Sequence, residues 1–374
     1  MDSVGVDLHL NYVDTAYSRQ DAVVRLLGDL GVRHVQDSVP VKAPALERGL
    51  RAIARRGIGA TLVTSLDIRP KSAVAAAKHV VGRRIDAVEG PSELDYFAPP
   101  NWSPRLRAYL PRLRAAIKKR GAHLPFVGPG FADVSNYRYF GGIRYDVTSL
   151  HSYPGGLAPE DPVVTAVRRT RAVAPRRRPV WLTETGYHNA LASTSSQRPV
   201  SEGAAATYLP RELLAAFRSG IKRTFIYELL DEKPDPALLD QERHFGLVRY
   251  DLSPKPAFFA VRNLLASVRA SPGSASPAAP VPSVSTSAPI ERVVLTRADG
   301  SRVVAIWRPV SVWNTQLRLP VNPGSVRVTV TWAKRVRDVA VVRPTLDKRP
   351  AMRVGSTTRL TLSLAGDAVL VSYH

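Results

Sequence analysis

The chain has 374 residues and no cysteine, with 53 Lys and Arg against 31 Asp and Glu, a formal net charge of +22. The missing cysteines exclude disulfides, thiolate catalysis and Cys-ligated zinc. No apolar run approaches the roughly 20 residues that cross a bilayer, so no membrane span is expected, and the length accommodates one large domain plus a small one.

Residues 4–268 alternate strand-like and helix-like segments. A strand over Val4–Leu10 leads to a helix over Gln20–Leu30, which Gly31 stops. A strand at Arg33–Ser38 precedes a helix from Ala43 to Arg56. A strand at Ala60–Leu66 precedes a helix over about Ser72–Val81. The next strand, Asp86–Gly90, is followed by a helix over Ser103–Arg120, with Ser103 as N-cap and Pro104 at the first helical position. A strand at Pro125–Gly128 runs into an irregular connection. Then come Asp146–His151 with helix Pro162–Val173, Val180–Glu184 with helix Ala204–Ser219, and Lys222–Leu229 with helix Pro256–Val268. Eight such units match the usual size of a (β/α)₈ barrel, about 250 residues, and the alternation argues for parallel strands. An open doubly wound sheet is the competing topology. If it bound a nucleotide it would need a Gly-rich turn after the first strand, where Asn11-Tyr12-Val13-Asp14 stands instead.

Residues 270–289 are rich in Pro, Ser and Ala, a linker composition. Beyond them the pattern shortens to alternating strands. Arg292–Thr296 and Arg302–Trp307 flank the hairpin signal Asp299-Gly300; Ser325–Thr331, Arg359–Leu364 and Ala368–Tyr373 follow. The reading is a barrel over 1–269, a linker over 270–289 and a small antiparallel β-sandwich over 290–374.

Two carboxylates stand out. Pro179-Val180-Trp181-Leu182-Thr183-Glu184 is an apolar strand that ends on a charge, and Glu93 lies just past the strand Asp86–Gly90. A charge at the end of a buried strand is costly unless it is paired or used. In a barrel, both strand ends belong to the face that carries active sites.

These stretches resemble the large clan of retaining (β/α)₈-barrel glycoside hydrolases, whose nearest branches here are the xylosidase/iduronidase-like and cellulase-like families. The resemblance covers 4–268. It rests on Glu89-Gly90-Pro91-Ser92-Glu93, Ser149-Leu150-His151-Ser152-Tyr153, Thr183-Glu184-Thr185-Gly186-Tyr187 and Phe245-Gly246-Leu247-Val248 with Lys255-Pro256-Ala257. It implies a glycan substrate, Glu93 as acid/base and Glu184 as nucleophile, with no cofactor and no metal. Glu89 is the alternative acid. The clan's Asn before the acid/base is replaced by Ser92, which leaves a non-catalytic carbohydrate-binding barrel as the alternative function. Strand-end polar residues His9, Asn11, Asp37, His151, Tyr153 and Glu228 are expected sugar or carboxylate contacts, together with Ser92, Tyr187 and Tyr227. Tyr96 and Trp102 are further candidate stacking platforms, each equally able to serve packing. Asp231, Glu232 and Asp235 form an acidic loop that reads as solvated and not as a Ca²⁺ site.

The charge has two readings. An anionic glycan or other acidic partner is one. The other is composition, since arginines such as Arg55, Arg56, Arg168, Arg169 and Arg171 are spread along helices. No basic run is interleaved with aromatics, so nucleic acid is not an expected partner. The start, Met1-Asp2-Ser3-Val4-Gly5, has no basic and apolar leader pattern. A monomer is expected, met outside the cell or at its surface as a mature chain, with the cytoplasm left open.

Overall fold

The computed structural model describes residues 3–97, 101–120, 124–174, 178–269, 277–347 and 349–374. The first eight strands are β1 (Val4–Asp7), β2 (His34–Ser38), β3 (Gly59–Val63), β4 (Ile85–Glu89), β5 (Phe126–Val127), β6 (Thr148–His151), β7 (Val180–Thr185) and β8 (Arg223–Ile226). Their order is β5-β4-β3-β2-β1-β8-β7-β6, and every pairing is parallel. A parallel bridge between Val127 and Val147 closes the ring. The ring is therefore a (β/α)₈ barrel, not an open sheet.

The helices are α1 (Gln20–Leu30), α2 (Pro44–Arg55), α3 (Pro70–Val81), a short α4 (Leu94–Phe97), α5 (Trp102–Arg120), α6 (Glu160–Val173), α7 (Glu202–Arg218) and α8 (Pro256–Val268). Local chemistry sets their ends. Gly31 turns α1 off with φ 82, Pro opens α2, α3 and α8, and Ser201 Oγ accepts the Ala204 amide at the start of α7. At α5 the helix begins at Trp102, one residue before the expected cap, so Ser103 and Pro104 lie inside its first turn.

The barrel's interior carries a small apolar floor of Ala87, Val127, Val147, Trp181 and Phe225. Gly5 is required here, because a Cβ on it would stand 2.5 Å from the Phe225 ring. Towards the C-terminal ends of the strands the interior turns polar.

The C-terminal domain is antiparallel. Strands β10 (Glu291–Thr296), β11 (Arg302–Trp307), β14 (Val326–Val342), β15 (Met352–Leu364) and β16 (Val369–Tyr373) pair in the order β10-β11-β16-β14-β15. β14 and β15 are far longer than their sequence segments suggested, and their ladder shifts register between Thr331 and Val336. The first half of β14 pairs with β15 and with a short strand described below, and the second half with both β15 and β16, folding the sheet around a core that includes Val304, Val330, Trp332, Leu362 and Val371. Part of the stretch read as linker, 270–276, lies outside the described residues. Its remainder contains β9 (Ser283–Ser285), which pairs with β14, and a buried Ala279. A short ribbon, β12 (Trp313–Asn314) with β13 (Leu319–Pro320), completes the elements.

The two domains share a core: Val303, Ala305, Trp307, Trp313 and Leu370 pack in the same cluster as Leu209, Leu213 and Leu214 of α7. Arg211 of α7 is the polar pin. Its guanidinium grips Glu160 bidentately at 2.8 Å twice and donates to the carbonyls of Val310 and Gly366 at 2.9 Å. Among the described residues no helix is long and apolar enough to cross a membrane.

Candidate active site

The barrel's C-terminal mouth brings Glu93 and Glu184 together. Glu93 follows β4 in a left-handed conformation, φ 46, its amide fixed by the Gly130 carbonyl at 2.8 Å. A non-glycine residue held there is mildly strained, as functional residues often are.

Glu184 owes its direction to a break in β7. Thr183 points into the barrel, where its hydroxyl meets Ser149. Regular alternation would send Thr185 inward and Glu184 outward. Instead the ladders to β6 and β8 shift register here, and Thr185 turns out to the Ser152 carbonyl and to Glu212 of α7. The bulge aims Glu184 into the mouth.

His151, at the end of β6, stands between the two carboxylates. Its Nδ1 lies 2.8 Å from Glu93 Oε1 and 3.3 Å from Glu184 Oε2. The three ligating atoms lie within 4.8 Å of one another. Burial alone would push the imidazole down, but Glu184, Glu93 and the more distant Glu89 outweigh it and raise His151 to about 9. It is therefore a cation at neutral pH. Burial pushes the Glu184 carboxyl up, opposed by the His151 charge and by the Tyr153 hydroxyl, which donates to Oε2 at 2.9 Å. Oε1 of Glu184 carries no hydrogen bond among the described residues. Gly130 makes room for this arrangement, since a Cβ there would meet His151 Nε2 at 2.4 Å and Ser92 Oγ at 3.1 Å.

Glu89, the alternative acid, does not open on the mouth. It ends β4 fully buried below the mouth, where burial pushes it up to about 8. A neutral carboxyl sealed from solvent cannot reach a leaving group. Asp7, at the end of β1, is likewise buried and pushed well up, by burial first and then by Glu184.

A second group lies beside the pair. Tyr227 turns its ring edge-on to His9, Tyr153 and Phe245 and donates to Glu242 at 3.3 Å; its peptide bond to Glu228 is cis. His9 stacks on Tyr12 at 4.6 Å, and burial holds it near 4, so it is neutral. Its Nε2 is 3.6 Å from Glu228 Oε2, which accepts the Tyr17 hydroxyl at 2.7 Å. Glu228 is wholly buried and pushed well above the carboxylate range by burial and by Glu232. Burial also raises Glu232, to about 7. His9, Glu228 and Glu232 have donor atoms at metal-like spacing, as does the Glu93–His151–Glu184 trio. In the latter the central imidazole is already protonated.

Several expected contacts lie elsewhere. Asp37 is buried, and its two oxygens accept the Leu10 and Ser38 amides, so it fastens the loop after β1 and faces no ligand. Tyr187 is packed on Tyr208 with its hydroxyl on the Leu157 carbonyl, which makes it core and not mouth. Trp102 stacks on Phe140 within the second core. Asn11 is exposed on a turn and has no side-chain hydrogen bond among the described residues. Ser92 is half-buried beside Gly130. The acidic loop disperses: Asp231 is bonded to the buried Lys255 at 2.8 Å, and Asp235 caps the amides of Leu239 and Asp240. Tyr17 and Asp7 were not anticipated. Tyr17 meets Glu228 across 211 residues of sequence, a pairing that only barrel closure creates.

No protein-family model matches the chain, and no curated protein matches it. Solved structures resemble it over its whole length. A family 39 glycoside hydrolase from Bacteroides cellulosilyticus WH2 aligns with 100% of this chain and 81% of its own, at 14% identity and TM-score 0.62. The GH39 enzyme from Xanthomonas axonopodis pv. citri aligns at 15% identity over 100% and 94%, TM-score 0.65. A monomeric beta-xylosidase from Caulobacter crescentus CB15 aligns at 14% identity over 100% and 96%, TM-score 0.60. At these identities the likeness is one of fold. It is the fold expected from the sequence, a (β/α)₈ barrel followed by a small β-domain.

Proposed function

We propose that the protein is a retaining glycoside hydrolase. The observation that carries this reading is the single imidazole within hydrogen-bond reach of both glutamates. It holds their nearer oxygens within 4.8 Å of each other, close enough for both carboxyls to act on one anomeric centre as a double displacement requires. Glu184, its Oε2 occupied by Tyr153 and His151, attacks the anomeric carbon through Oε1 and forms a glycosyl-enzyme. Glu93 gives its proton to the departing oxygen, then takes one from the incoming water. The His151 cation favours the ionised form of Glu184, the form that attacks. His9, Tyr153 and Tyr227 form the wall nearest the sugar.

The test uses an aryl glycoside with a good leaving group. Glu184→Ala should fold normally and lose turnover by more than about 10⁴-fold, because no covalent intermediate forms. Azide should then give the inverted glycosyl azide. Glu93→Ala should keep the first step and stall on deglycosylation, and azide should restore turnover with retained configuration. Wild-type inversion by NMR refutes the retaining mechanism. A wild type that binds glycans and turns none over is the carbohydrate-binding alternative.

A further inference from the structure

The loop from His9 to Arg19 has two sides. One carries His9, Tyr12 and Tyr17 into the catalytic mouth. The other, with Val13, Ser18 and Arg19, forms the rim of a cleft of about 800 Å³ between α1 and α2. Five arginines line that cleft: Arg19, Arg25, Arg48, Arg51 and Arg55. Asp21 is the one acidic residue that lines it with them.

Arg48, Arg51 and Arg55 follow one another at helical spacing, so they form a stripe about 10 Å long on one face of α2 at 1.5 Å per residue. Three of the cleft's arginines are anchored, Arg55 through the Arg51 carbonyl at 3.2 Å. Arg51 is held by Glu47 at 2.8 Å and by the His79 carbonyl. Arg19 lies over the Tyr250 ring, bonded to its carbonyl. Arg25 and Arg48 are exposed and have no ion pair or hydrogen bond among the described residues. Cations converging from two helices repel one another unless an anion lies between them. The cleft offers no aromatic ring on which a nucleobase could stack.

We propose that this cleft binds the anionic stretch of a glycan bearing carboxylate or sulfate groups, with the chain crossing the His9–Arg19 loop from the mouth into the arginine track. The proposal builds on the glycoside hydrolase reading and gives its substrate class. It also gives part of the +22 charge a location that a scan of the sequence spreads over separate helices.

The experiment measures binding of polygalacturonate, dextran sulfate and neutral dextran to the full chain at increasing NaCl, with aryl-glycoside turnover measured in parallel. Wild type should bind at least one polyanion and not dextran, and the preferred one distinguishes carboxylate from sulfate. Arg25→Glu/Arg48→Glu should lose at least about tenfold in affinity at low salt, with a shallower salt dependence and unchanged aryl-glycoside turnover. Arg25→Gln/Arg48→Gln, a milder surface change, should show the same effect to a smaller degree. Unchanged polyanion binding in both variants overturns the proposal. So does duplex DNA that binds through the same arginines and is not displaced by either glycan. If wild type turns over no glycoside while the variants still lose polyanion binding, the cleft assignment stands and the hydrolase reading falls.

Discussion

Two buried charge clusters in this chain are built on opposite terms. At the domain interface, Arg211 has no exposed surface, and its donors meet Glu160, Val310 and Gly366. At the barrel mouth, one imidazolium serves two carboxylates, and Oε1 of Glu184 has no hydrogen bond among the described residues. The first cluster has spent its hydrogen-bonding capacity on holding two domains together. The second keeps some in reserve, and that reserve is what chemistry requires. The contrast suggests a rule for this fold: full satisfaction marks structure, and a deliberate shortfall beside a bulge or a left-handed residue marks function.

The largest effect should come from breaking the satisfied cluster. Arg211→Ala strands the Glu160 carboxylate in the interface and should cost about 3–5 kcal/mol in denaturant unfolding. Arg211→Leu/Glu160→Leu should recover most of that loss, because no buried charge remains. Activity per folded molecule should change little in either. If the single variant is as stable as wild type, the pin is not structural and the comparison fails.

A second effect is a pH window. His151 is raised to about 9 from an ordinary 6.5, so its contribution to stability is fully present below about pH 6.5 and lost as pH rises through 9. Glu89 and Glu212 are raised to about 8, chiefly by burial. They hold protons that the unfolded chain releases near 4.5, and this too makes stability fall with rising pH, between about 4.5 and 8. Acid and base thus act with the same sign. Urea midpoints should decline from pH 5 to 9, and His151→Asn should flatten the upper part of the curve. A stability maximum at pH 9 contradicts this.

The tyrosines give the smallest and sharpest comparison. Tyr153→Phe removes a hydrogen bond to a charged group, worth about 1.5–3 kcal/mol, and should lower kcat by about tenfold or more. Tyr187→Phe removes a bond to a carbonyl and should cost about 0.5–1.5 kcal/mol of stability with kcat unchanged. Equal kinetic losses in the two would return Tyr187 to the mouth.

The same contrast explains what the sequence made legible. Parallel strands buried on both faces leave continuous apolar runs, and helices between them carry their own stops and starts, so the barrel could be read with its element order intact. Glu184 stood out because a charge ending an apolar run is conspicuous, and Glu93 because it lies just past a strand end. Tyr187 was read as a mouth residue because it follows Glu184 closely in the chain, and nothing local announces that its ring packs on Tyr208 of α7. Asp37 was misplaced because a strand-end carboxylate that caps amides looks, in sequence, like one that binds sugar. The roles of Tyr17 and Arg211 depend on residues more than 50 positions away, at distances set only by closure of the ring and docking of the second domain. In the β-domain, the hairpin at Asp299-Gly300 was plain, whereas β9 lay hidden in a Pro-rich stretch because edge pairing to β14 needs little side-chain pattern.

The bridge that closes the barrel has a consequence for how the protein ages in heat. β5 has two residues, and the joint between it and β6 includes the Gly128–Val147, Asp146–Phe126 and Val147–Phe126 backbone bonds, the Phe126 amide on the Asp146 carboxylate at 3.0 Å, and the Tyr137 hydroxyl, 2.7 and 2.8 Å from the carbonyls of Pro129 and Ser149. Glu93 hangs from one side of that joint, and His151 and Glu184 from the other. The working distance between the carboxyls is therefore measured across the thinnest seam of the ring. Loosening of the seam should part the two carboxyls while the other strand junctions hold, so turnover is expected to fail at a lower temperature than the barrel's circular-dichroism signal.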